Sequence, residues 1–431
     1  MLRFIIPIII VLFLELYTFL SVRTLTSNKF ILIGFWIVTI IVYGIFFYQM
    51  SFAQRQGRFS ISTGYAIGLA LTFLVPKLFI FAILFIEDIF RFFASLFNYF
   101  QHNGMTIGES IPSRRKFISQ LALGIAAIPF AGFLYGIFQG RYNYKVIKHT
   151  MFFDDLPAAF DGYKLTQISD IHSGSFDNKE KIEYAVDLIN EQKSDVILFT
   201  GDIVNAVAEE MHPWIDTFKR LEAKDGLYSI LGNHDYGFYA YQDQKDIDEN
   251  HKKMEKVHEA IGFDLLLNDK RTLERNGEKL HILGVENWGA SRHFPKRGSL
   301  CKAAAEVTDG EFNILLSHDP SHFDYKEMEI RTAEKEDPAV ITDEPNIINF
   351  EKKIQLTLAG HTHGMQFGIE IPGWIKWSPV KWRYKQWAGI YESASQRLNV
   401  NRGFGYLAYP GRVGMWPEIS VITLKKTKRN V

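Results

Sequence analysis

Four long apolar runs in the first third of the sequence restrict the fold more than any other feature. A run of about 20 apolar residues, at a helical rise of about 1.5 Å per residue, matches the hydrocarbon core of a bilayer. The runs lie at residues 2–22, 30–50, 62–86 and 117–138. Short loops with basic residues separate them, which is typical of membrane-spanning helices. We therefore predict that residues 1–150 are an all-α transmembrane domain of about four helices, integral to the cell membrane.

Two further features bear on the number of crossings. A signal peptide is the alternative for residues 2–22, but Glu15 interrupts this run and no cleavage site of small residues stands out. The aromatic stretch at residues 90–100 follows the third run. We predict that it forms an interfacial helix rather than a fifth crossing.

The distribution of basic residues does not decide the orientation of the four helices. One side of the membrane would hold Arg3, Arg55, Arg58, Arg141, Lys145 and Lys148, and the other Arg23, Lys29, Arg91, Arg114, Arg115 and Lys116. The segment SRRKFIS at 113–119 resembles a twin-arginine export signal, and an ordinary basic flank is the alternative. An export signal would keep its arginines in the cytoplasm. We accordingly expect everything after residue 140 to be extracytoplasmic.

From about residue 150, short β-rich runs alternate with amphipathic stretches. The apolar runs lie at residues 164–170, 195–202, 226–233, 280–287, 312–319 and 354–364. Residues 177–192 are helix-like, with Ile182, Val186 and Ile189 on one face. Strands that alternate with helices indicate an α/β domain whose strands are buried on both faces. We predict such a domain over residues 151–431.

Polar side chains follow most of these predicted strands, at the point where each run ends. They are Asp170, His172, Asp202, Asn233, His234, Asp235, His318, His361 and His363. Ligands of open α/β sheets bind beyond the carboxyl ends of the strands, and five of the 13 histidines of the chain belong to this group. Oxygen and imidazole donors without a thiolate suit manganese, iron or zinc. Adjacent glycines, among them Gly232 and Gly360, would let the side chains converge.

The order of these residues resembles the motif series of the calcineurin-like metallophosphoesterase family: D-x-H, G-D, G-N-H-D, a histidine after a strand, and G-H-x-H. The resemblance covers residues 170–363. It implies a four-layer sandwich, in which helices flank two mixed β-sheets, and two divalent metal ions. Carried over to this chain, it implies three ligands for the first ion, three for the second and one bridging carboxylate. In that order they are Asp170, His172 and His363; Asn233, His318 and His361; and Asp202.

The resemblance also implies how such a site works. Two cations on opposite sides of a phosphate would activate a water that attacks phosphorus in line. His234 would protonate the leaving group, and Asp235 would orient and charge the His234 imidazole. No cysteine or serine nucleophile is required. We therefore predict a dinuclear, metal-dependent phosphoesterase.

The C-terminal segment is similar to the membrane-associated branch of the family, which includes UDP-diacylglucosamine pyrophosphatases. The similar stretches lie at residues 385–392 and 398–424. The chain departs from that branch at Met365, where glycine is common, and in the stretch between His318 and His361, which is longer than usual. The most loop-like segment of the chain, the mixed-charge residues 326–346, lies in this stretch. These departures leave the substrate open. A lipid-linked phosphoester is our expectation, and a nucleotide or a phosphoprotein is the alternative.

Composition excludes one class of partner. The chain of 431 residues has 48 basic and 48 acidic residues, so no overall positive field attracts nucleic acid. Its single cysteine, Cys301, excludes an intramolecular disulfide framework. A non-catalytic membrane sensor that keeps the fold is the alternative to an enzyme, although a scaffold has no chemical need for a full set of ligands. The oligomeric state stays open.

Aromatic and basic residues are concentrated after the last motif. They are Trp374, Trp377, Trp382 and Trp387 with Lys376, Lys381, Arg383 and Lys385. This mixture is typical of a belt against anionic lipid headgroups, and an aromatic-packed β-excursion is the alternative. Two other histidines, His293 and His322, are predicted to lie at the surface or the pocket rim. Asp319 is predicted to support the turn after His318.

Overall fold

Long helices form the first part of the chain and a pair of β-sheets forms the second. The structure, a computed structural model, describes residues 2–56, 60–102, 112–291, 294–324, 354–371, 373–393 and 396–427. Unit 1 comprises Met1–Arg55 and Ser62–Phe138, and unit 2 is chiefly Gln139–Val431. The predicted loop at 326–346 and His293 lie outside the described residues.

Unit 1 consists of four long helices that coincide with the four predicted runs. They are α1 Leu2–Leu25, α2 Lys29–Gln56, α3 Ile61–His102 and α4 Pro112–Phe138. Within the described residues, the segments long and apolar enough to cross a membrane are Lys29–Arg55, Ile61–Phe97 and Arg114–Phe138. Phe30, Ile40 and Ile128 expose 74%, 69% and 73% of their surface, which lipid accommodates and water does not. The prediction of an all-α transmembrane domain is confirmed.

The aromatic stretch at residues 90–100 does not form a separate helix, contrary to our expectation. It continues α3, whose 42 residues extend over about 63 Å at the rise of an α-helix. This length exceeds the hydrocarbon thickness of about 30 Å. The charged residues Glu87, Asp88 and Arg91 lie in the same helix, and Arg91 pairs with Asp88 at 2.6 Å. The stretch is therefore the C-terminal continuation of α3 and not a fifth crossing.

A buried ion pair explains how α1 tolerates the glutamate that interrupts its apolar sequence. Lys77 Nζ of α3 lies 2.8 Å from each carboxylate oxygen of Glu15. From α2, Tyr43 donates a hydrogen bond of 2.8 Å to Glu15 Oε1, and Thr39 donates one of 3.3 Å to Oε2. Charged groups inside a membrane are costly unless they are paired and hydrogen-bonded. This cluster therefore links the first three helices.

Unit 2 contains two six-stranded mixed sheets. The strands of sheet A are β1 Lys145–Phe153, β2 Lys164–Ile168, β3 Val196–Phe199, β4 Leu227–Ser229, β5 Asp264–Leu265 and β14 Glu418–Lys426. Those of sheet B are β6 Asp269–Arg275, β7 Glu278–Gly284, β8 Phe312–Leu316, β9 Leu356–Ala359, β12 Gly389–Ser393 and β13 Gln396–Val400. Sheet A has the order β1-β14-β2-β3-β4-β5, and sheet B has the order β12-β13-β9-β8-β7-β6. A separate hairpin consists of β10 Ile369–Ile371 and β11 Ile375–Trp377.

The strand period of two distributes side chains between two cores. In β3, Val196 and Leu198 join a core that contains Ile282 and Ile314 of sheet B. Ile197 and Phe199 of the same strand point to the other core, which contains helical residues. This alternation places the two sheets face to face.

Short helices cover the outer faces of the sandwich. They are α5 Lys179–Asn190, α6 Ile215–Phe218, α7 Gln244–Ile261 and α8 Leu300–Ala303. The predicted helical face of Ile182, Val186 and Ile189 packs on sheet A, and Leu300 of α8 packs on sheet B. The predicted α/β class, with two mixed sheets flanked by helices, is confirmed.

Candidate metal centre

The predicted polar residues lie beyond the carboxyl ends of five strands. Asp170 and His172 follow β2, Asp202 follows β3, Asn233, His234 and Asp235 follow β4, His318 follows β8, and His361 and His363 follow β9. Three of these strands belong to sheet A and two to sheet B. Seven of the nine residues are buried, and His234 and His361 are partly exposed. Both sheets therefore contribute to one candidate centre.

Three side chains form the first candidate ligand group. Asp170 Oδ1 lies 3.1 Å from His363 Nε2, and His172 Nε2 lies 3.0 Å from the same nitrogen. Ligand atoms of the three residues all lie within 4.8 Å of one another. Two imidazole nitrogens and a carboxylate therefore converge on one point from two sheets.

The second candidate group contains Asp202, His318 and His361. Asp202 Oδ2 lies 3.0 Å from His318 Nε2, and His361 Nδ1 lies 3.2 Å from that nitrogen. Asp202 Oδ2 also lies 3.7 Å from His172 Nε2 of the first group. One carboxylate oxygen therefore faces both groups, as a bridging ligand would.

The spacing of these atoms fits a divalent cation in each group. Bonds of about 2.0–2.2 Å from a cation to nitrogen or oxygen put ligand atoms at right angles about 3 Å apart. The closest pairs, His172 with His363 and Asp202 with His318, are both 3.0 Å apart. The donor set contains oxygen and imidazole nitrogen alone, which suits manganese, iron or zinc.

Hydrogen bonds hold two of the histidines in the form that a metal requires. His172 Nδ1 lies 3.1 Å from the Val204 carbonyl, and His318 Nδ1 lies 2.7 Å from the Thr200 carbonyl. A carbonyl only accepts, so each Nδ1 carries a proton, and Nε2 is the nitrogen that can bind a metal. Metal-binding histidines use their second nitrogen in this way.

Asn233 offers a further oxygen. Its Nδ2 donates a hydrogen bond of 2.9 Å to the Tyr239 hydroxyl. Its Oδ1 is buried and has no hydrogen-bond partner among the described residues. An unsatisfied buried oxygen is costly, and a cation would satisfy it. The amide therefore fits the ligand role predicted from the sequence.

Backbone strain is concentrated at the candidate ligands. Within the described residues, eleven non-glycine residues have a positive φ, and five of them are Asp170, His172, Asp202, His361 and His363. A left-handed conformation costs about 1–3 kcal/mol for such residues and persists at functional sites. The left-handed backbone conformation directs these five side chains toward the centre.

Two glycines permit the close approach of the ligand loops. A Cβ at Gly232 would lie 2.2 Å from Asp202 Oδ1, and a Cβ at Gly360 would lie 2.2 Å from Asp170 Oδ2. Neither distance is compatible with any side chain. The glycine in each motif therefore makes room for the carboxylate of another.

The buried carboxylates of Asp170 and Asp202 attract positive charge. Burial would raise the pKa of Asp202, but His318 and His234 hold it well below its usual value. Burial would equally lower the pKa of His318, but the Asp202 carboxylate raises it to about 10. Burial and the neighbouring His363 hold the pKa of His172 well below its usual value. The centre therefore favours ionised carboxylates beside a cation.

Comparison with known proteins identifies the family. Residues 163–365 match the family model described as "Calcineurin-like phosphoesterase". Residues 2–141 match the model described as "Probable Calcineurin-like phosphoesterase, transmembrane domain". The uncharacterized metallophosphoesterase YkuE of Bacillus subtilis is 30% identical over 321 residues, which are 73% of this chain and 98% of that protein. This chain belongs to the calcineurin-like phosphoesterase family.

Other members of the calcineurin-like phosphoesterase family match over similar lengths. Phosphodiesterase YaeI of Escherichia coli is 26% identical over 72% of this chain and 99% of its own length. A transmembrane protein with metallophosphoesterase domain from Danio rerio is 25% identical over 68% of this chain and 60% of its own length. Because this chain belongs to that family and has a domain of four long helices, it is a membrane-associated phosphoesterase.

His234, the predicted acid of this phosphoesterase, lies beside the second ligand group. Its backbone N–H donates to Asp202 Oδ1 at 2.8 Å. Its ring Nδ1 lies 2.6 Å from the Asn205 carbonyl, so Nδ1 carries a proton and Nε2 is the nitrogen available for chemistry. The Tyr239 ring stacks on the imidazole with centroids 4.3 Å apart. The imidazole is therefore held by the backbone and by stacking.

The prediction that Asp235 orients His234 is wrong. The Asp235 carboxylate accepts backbone N–H groups from Asp202 at 2.8 Å, Ile203 at 2.9 Å and Gly232 at 2.8 Å. Burial and the Asp202 charge raise its pKa to about 7. The side chain folds back because these N–H groups have no strand partner beyond β3 and β4. Asp235 therefore shapes the loop that carries Asp202.

Two of the other polar predictions have different outcomes. Asp319 supports the turn, because its Oδ1 accepts from Ser321 N at 2.9 Å and Ser321 Oγ at 2.7 Å. The prediction that His322 lies at the surface or the pocket rim is wrong. This residue is fully buried, and its Nδ1 lies 2.8 Å from Ser317 Oγ, which satisfies it inside the domain.

Sequence reasoning missed two tyrosines of the centre. The Tyr384 hydroxyl lies 2.7 Å from His361 Nε2, so His361 presents Nδ1 to the second group. Tyr239 contacts both Asn233 and His234. Tyr239 lies six residues after Asn233, and only this proximity could have drawn attention to it. Tyr384 stands in the tryptophan-rich segment, where no motif marks it.

Proposed function

We propose that this protein hydrolyses phosphodiester or pyrophosphate bonds of lipid-linked substrates at a dinuclear metal centre. The observation that carries the proposal is Asp202 Oδ2, which faces His172 of one ligand group and His318 of the other. Asp170 and His363 would complete the first site. Asn233 and His361 would complete the second. Bound cations of manganese, iron or zinc would supply an activated water and neutralise charge on the phosphoryl oxygens.

The residues of this chain define the proton transfer. The leaving oxygen needs a proton, and His234 is the half-buried imidazole beside the buried ligands. Because the Asn205 carbonyl accepts from Nδ1, the proton would come from Nε2 of the imidazolium. The Asp202 Oδ1 accepts from the His234 backbone, which keeps the imidazole beside the candidate ligands.

Metal-dependent hydrolysis is the first prediction. The purified full chain with manganese should hydrolyse bis-p-nitrophenyl phosphate. A chelator should abolish the activity, because the ligand groups would then hold no cation. The monoester and a panel of lipid phosphoesters, nucleotides and a phosphopeptide would rank the substrates. We expect diesters to exceed the monoester, since the E. coli relative is named a phosphodiesterase.

A chain that binds metal without turning over any of these substrates would be a sensor that keeps the fold. A preference for nucleotides or for the phosphopeptide would instead contradict the lipid-linked substrate and leave the phosphoesterase in place.

We further propose that unit 2 lies outside the cytoplasm. Support comes from Arg114 and Arg115 in the first turns of α4, which match the order of a twin-arginine signal. Arg114 also pairs with Glu87 at 3.6 Å, a contact that a plain basic flank would make equally well. The orientation therefore needs a direct measurement.

Cysteine accessibility provides that measurement. In a Cys301→Ser background, Tyr184→Cys places a thiol at a residue of unit 2 that is 56% exposed. A membrane-impermeant maleimide should label it in intact bacterial cells. Ser27→Cys, between α1 and α2, is the matched control and should react only after permeabilisation. The reverse pattern would place unit 2 in the cytoplasm and remove the export interpretation.

A further inference from the structure

A hairpin directly follows the last metal-ligand motif. The motif ends in the turn His363–Gln366, and β10 begins three residues later. The segment after the hairpin returns Tyr384 to His361, with a contact of 2.7 Å. The hairpin is thus bordered on both sides by residues of the candidate metal centre.

One face of this hairpin is apolar and exposed. Ile369 pairs with Trp377, and Ile371 pairs with Ile375, so these four side chains share a face. Ile369 and Ile371 expose 50% and 42% of their surface. Ile375 and Trp377 of the same face are partly buried.

The opposite face of the hairpin is polar, and its charged groups contact neighbouring residues of unit 2. Its cross-strand pair is Glu370 with Lys376. Arg402 forms an ion pair of 2.6 Å with Glu370. Lys376 Nζ lies 5.1 Å from the centre of the Trp387 ring and 5.2 Å from that of Tyr391. Two isoleucines are therefore exposed on the apolar face, and on the polar face Glu370 is partly buried while Lys376 is exposed.

Further apolar side chains extend this exposed face. Trp374 at the turn is 77% exposed, Trp382 is 76% exposed and Met365 is 60% exposed. The Trp382 ring contacts the Trp377 ring, with centroids 6.0 Å apart. Among the described residues, unit 2 has nine large hydrophobic residues that are exposed, and five lie between Met365 and Trp382. Such a concentration marks an interaction surface.

Basic residues border the apolar face. Lys381, Arg383 and Lys385 are exposed, and Glu370, the acidic residue between 365 and 385, pairs with Arg402. Tryptophan together with lysine and arginine is the composition of a membrane interface, where rings lie at headgroup depth and cations meet anionic lipid. The charge and the aromatic content fit a bilayer surface better than another protein.

We propose that this surface, here called the hairpin face, docks unit 2 on the anionic surface of a bilayer. The bilayer would be the one that holds the helices of unit 1, because α4 ends at Phe138 and β1 begins soon after it, at Lys145. Trp374, Trp382 and Ile371 insert at headgroup depth, and Lys381, Arg383 and Lys385 contact lipid phosphates. Docking brings the metal centre to phosphoesters in the membrane. That consequence rests on the proposed function, whereas the docking does not.

Fluorescence of the full chain in lipid nanodiscs tests the docking. In the Cys301→Ser background, a nitrobenzoxadiazole label on Trp374→Cys should emit at shorter wavelength in nanodiscs that contain phosphatidylglycerol. Lipids with a spin label near the headgroup should quench it. The same label on Tyr184→Cys, exposed by 56%, is the matched control and should be neither shifted nor quenched. Equal behaviour of the two labels would overturn the proposal.

Two further measurements separate the other outcomes. Energy transfer between labels on Trp374→Cys of two chains, without lipid quenching, would mean that a second copy covers the face, and would overturn the proposal. The double variant Ile371→Ser, Trp374→Ser should lose quenching measured from a label on Trp382→Cys. It should turn over a lipid phosphoester in nanodiscs more slowly, with unchanged turnover of bis-p-nitrophenyl phosphate. Absence of activity on every substrate would contradict the proposed function alone, because the quenching still reports docking.

Discussion

Replacing Asp202 with alanine should remove both cations and reduce hydrolysis to background. Its Oδ2 lies 3.0 Å from His318 Nε2 and 3.7 Å from His172 Nε2, so one carboxylate serves both groups. Its Oδ1 accepts from the His234 backbone, so the loss also releases the proposed acid. The measurement is the metal content of the purified variant by mass spectrometry, together with its turnover of bis-p-nitrophenyl phosphate.

His363→Ala is the matched control for the bridging role. His363 contacts Asp170 and His172 of the first group, so its loss should weaken mainly one site and leave about one equivalent of metal. Thermal unfolding of both variants would establish that each is folded. One equivalent or fewer in the active wild-type protein would contradict a dinuclear centre.

His234→Ala should keep its metals and lose turnover by roughly 10²–10⁴-fold, the usual contribution of a general acid. The hydrogen bond from His234 to Asp202 is donated by the backbone N–H and not by the ring. Alanine at this position keeps that N–H, so the loop with the ligands should stay in place. The loss should be smaller for p-nitrophenolate, a good leaving group that needs little protonation. Turnover of substrates with leaving groups of increasing pKa measures this dependence.

Asp235→Ala provides the contrasting variant. The Asp235 carboxylate holds the backbone of Asp202, Ile203 and Gly232, so its loss should disturb metal binding and lower turnover of all substrates alike. If His234→Ala shows the same uniform loss, His234 positions the substrate or stabilises charge and is not the acid.

Local patterns in the sequence were sufficient for the architecture. The four helices of unit 1 follow from apolar runs as long as a bilayer is thick, and a helix satisfies its backbone within its own segment. The strands of unit 2 follow from short runs between polar stretches. Asp170, His172, Asp202, His318, His361 and His363 stand directly after such runs. Parallel strands bring their carboxyl ends to one edge, so order along the chain predicted which residues meet.

The direction of each side chain was decided by the tertiary structure. Asp235 adjoins His234 in sequence, yet its carboxylate turns to the backbone of the Asp202 loop, because unpaired N–H groups there attract it. Tyr384 reaches His361 across 23 positions and so determines which nitrogen His361 presents. The orientation of Glu370 in the hairpin depends in the same way on Arg402, with which it forms an ion pair. Such contacts join residues distant in sequence, and they form only once the fold has placed them side by side.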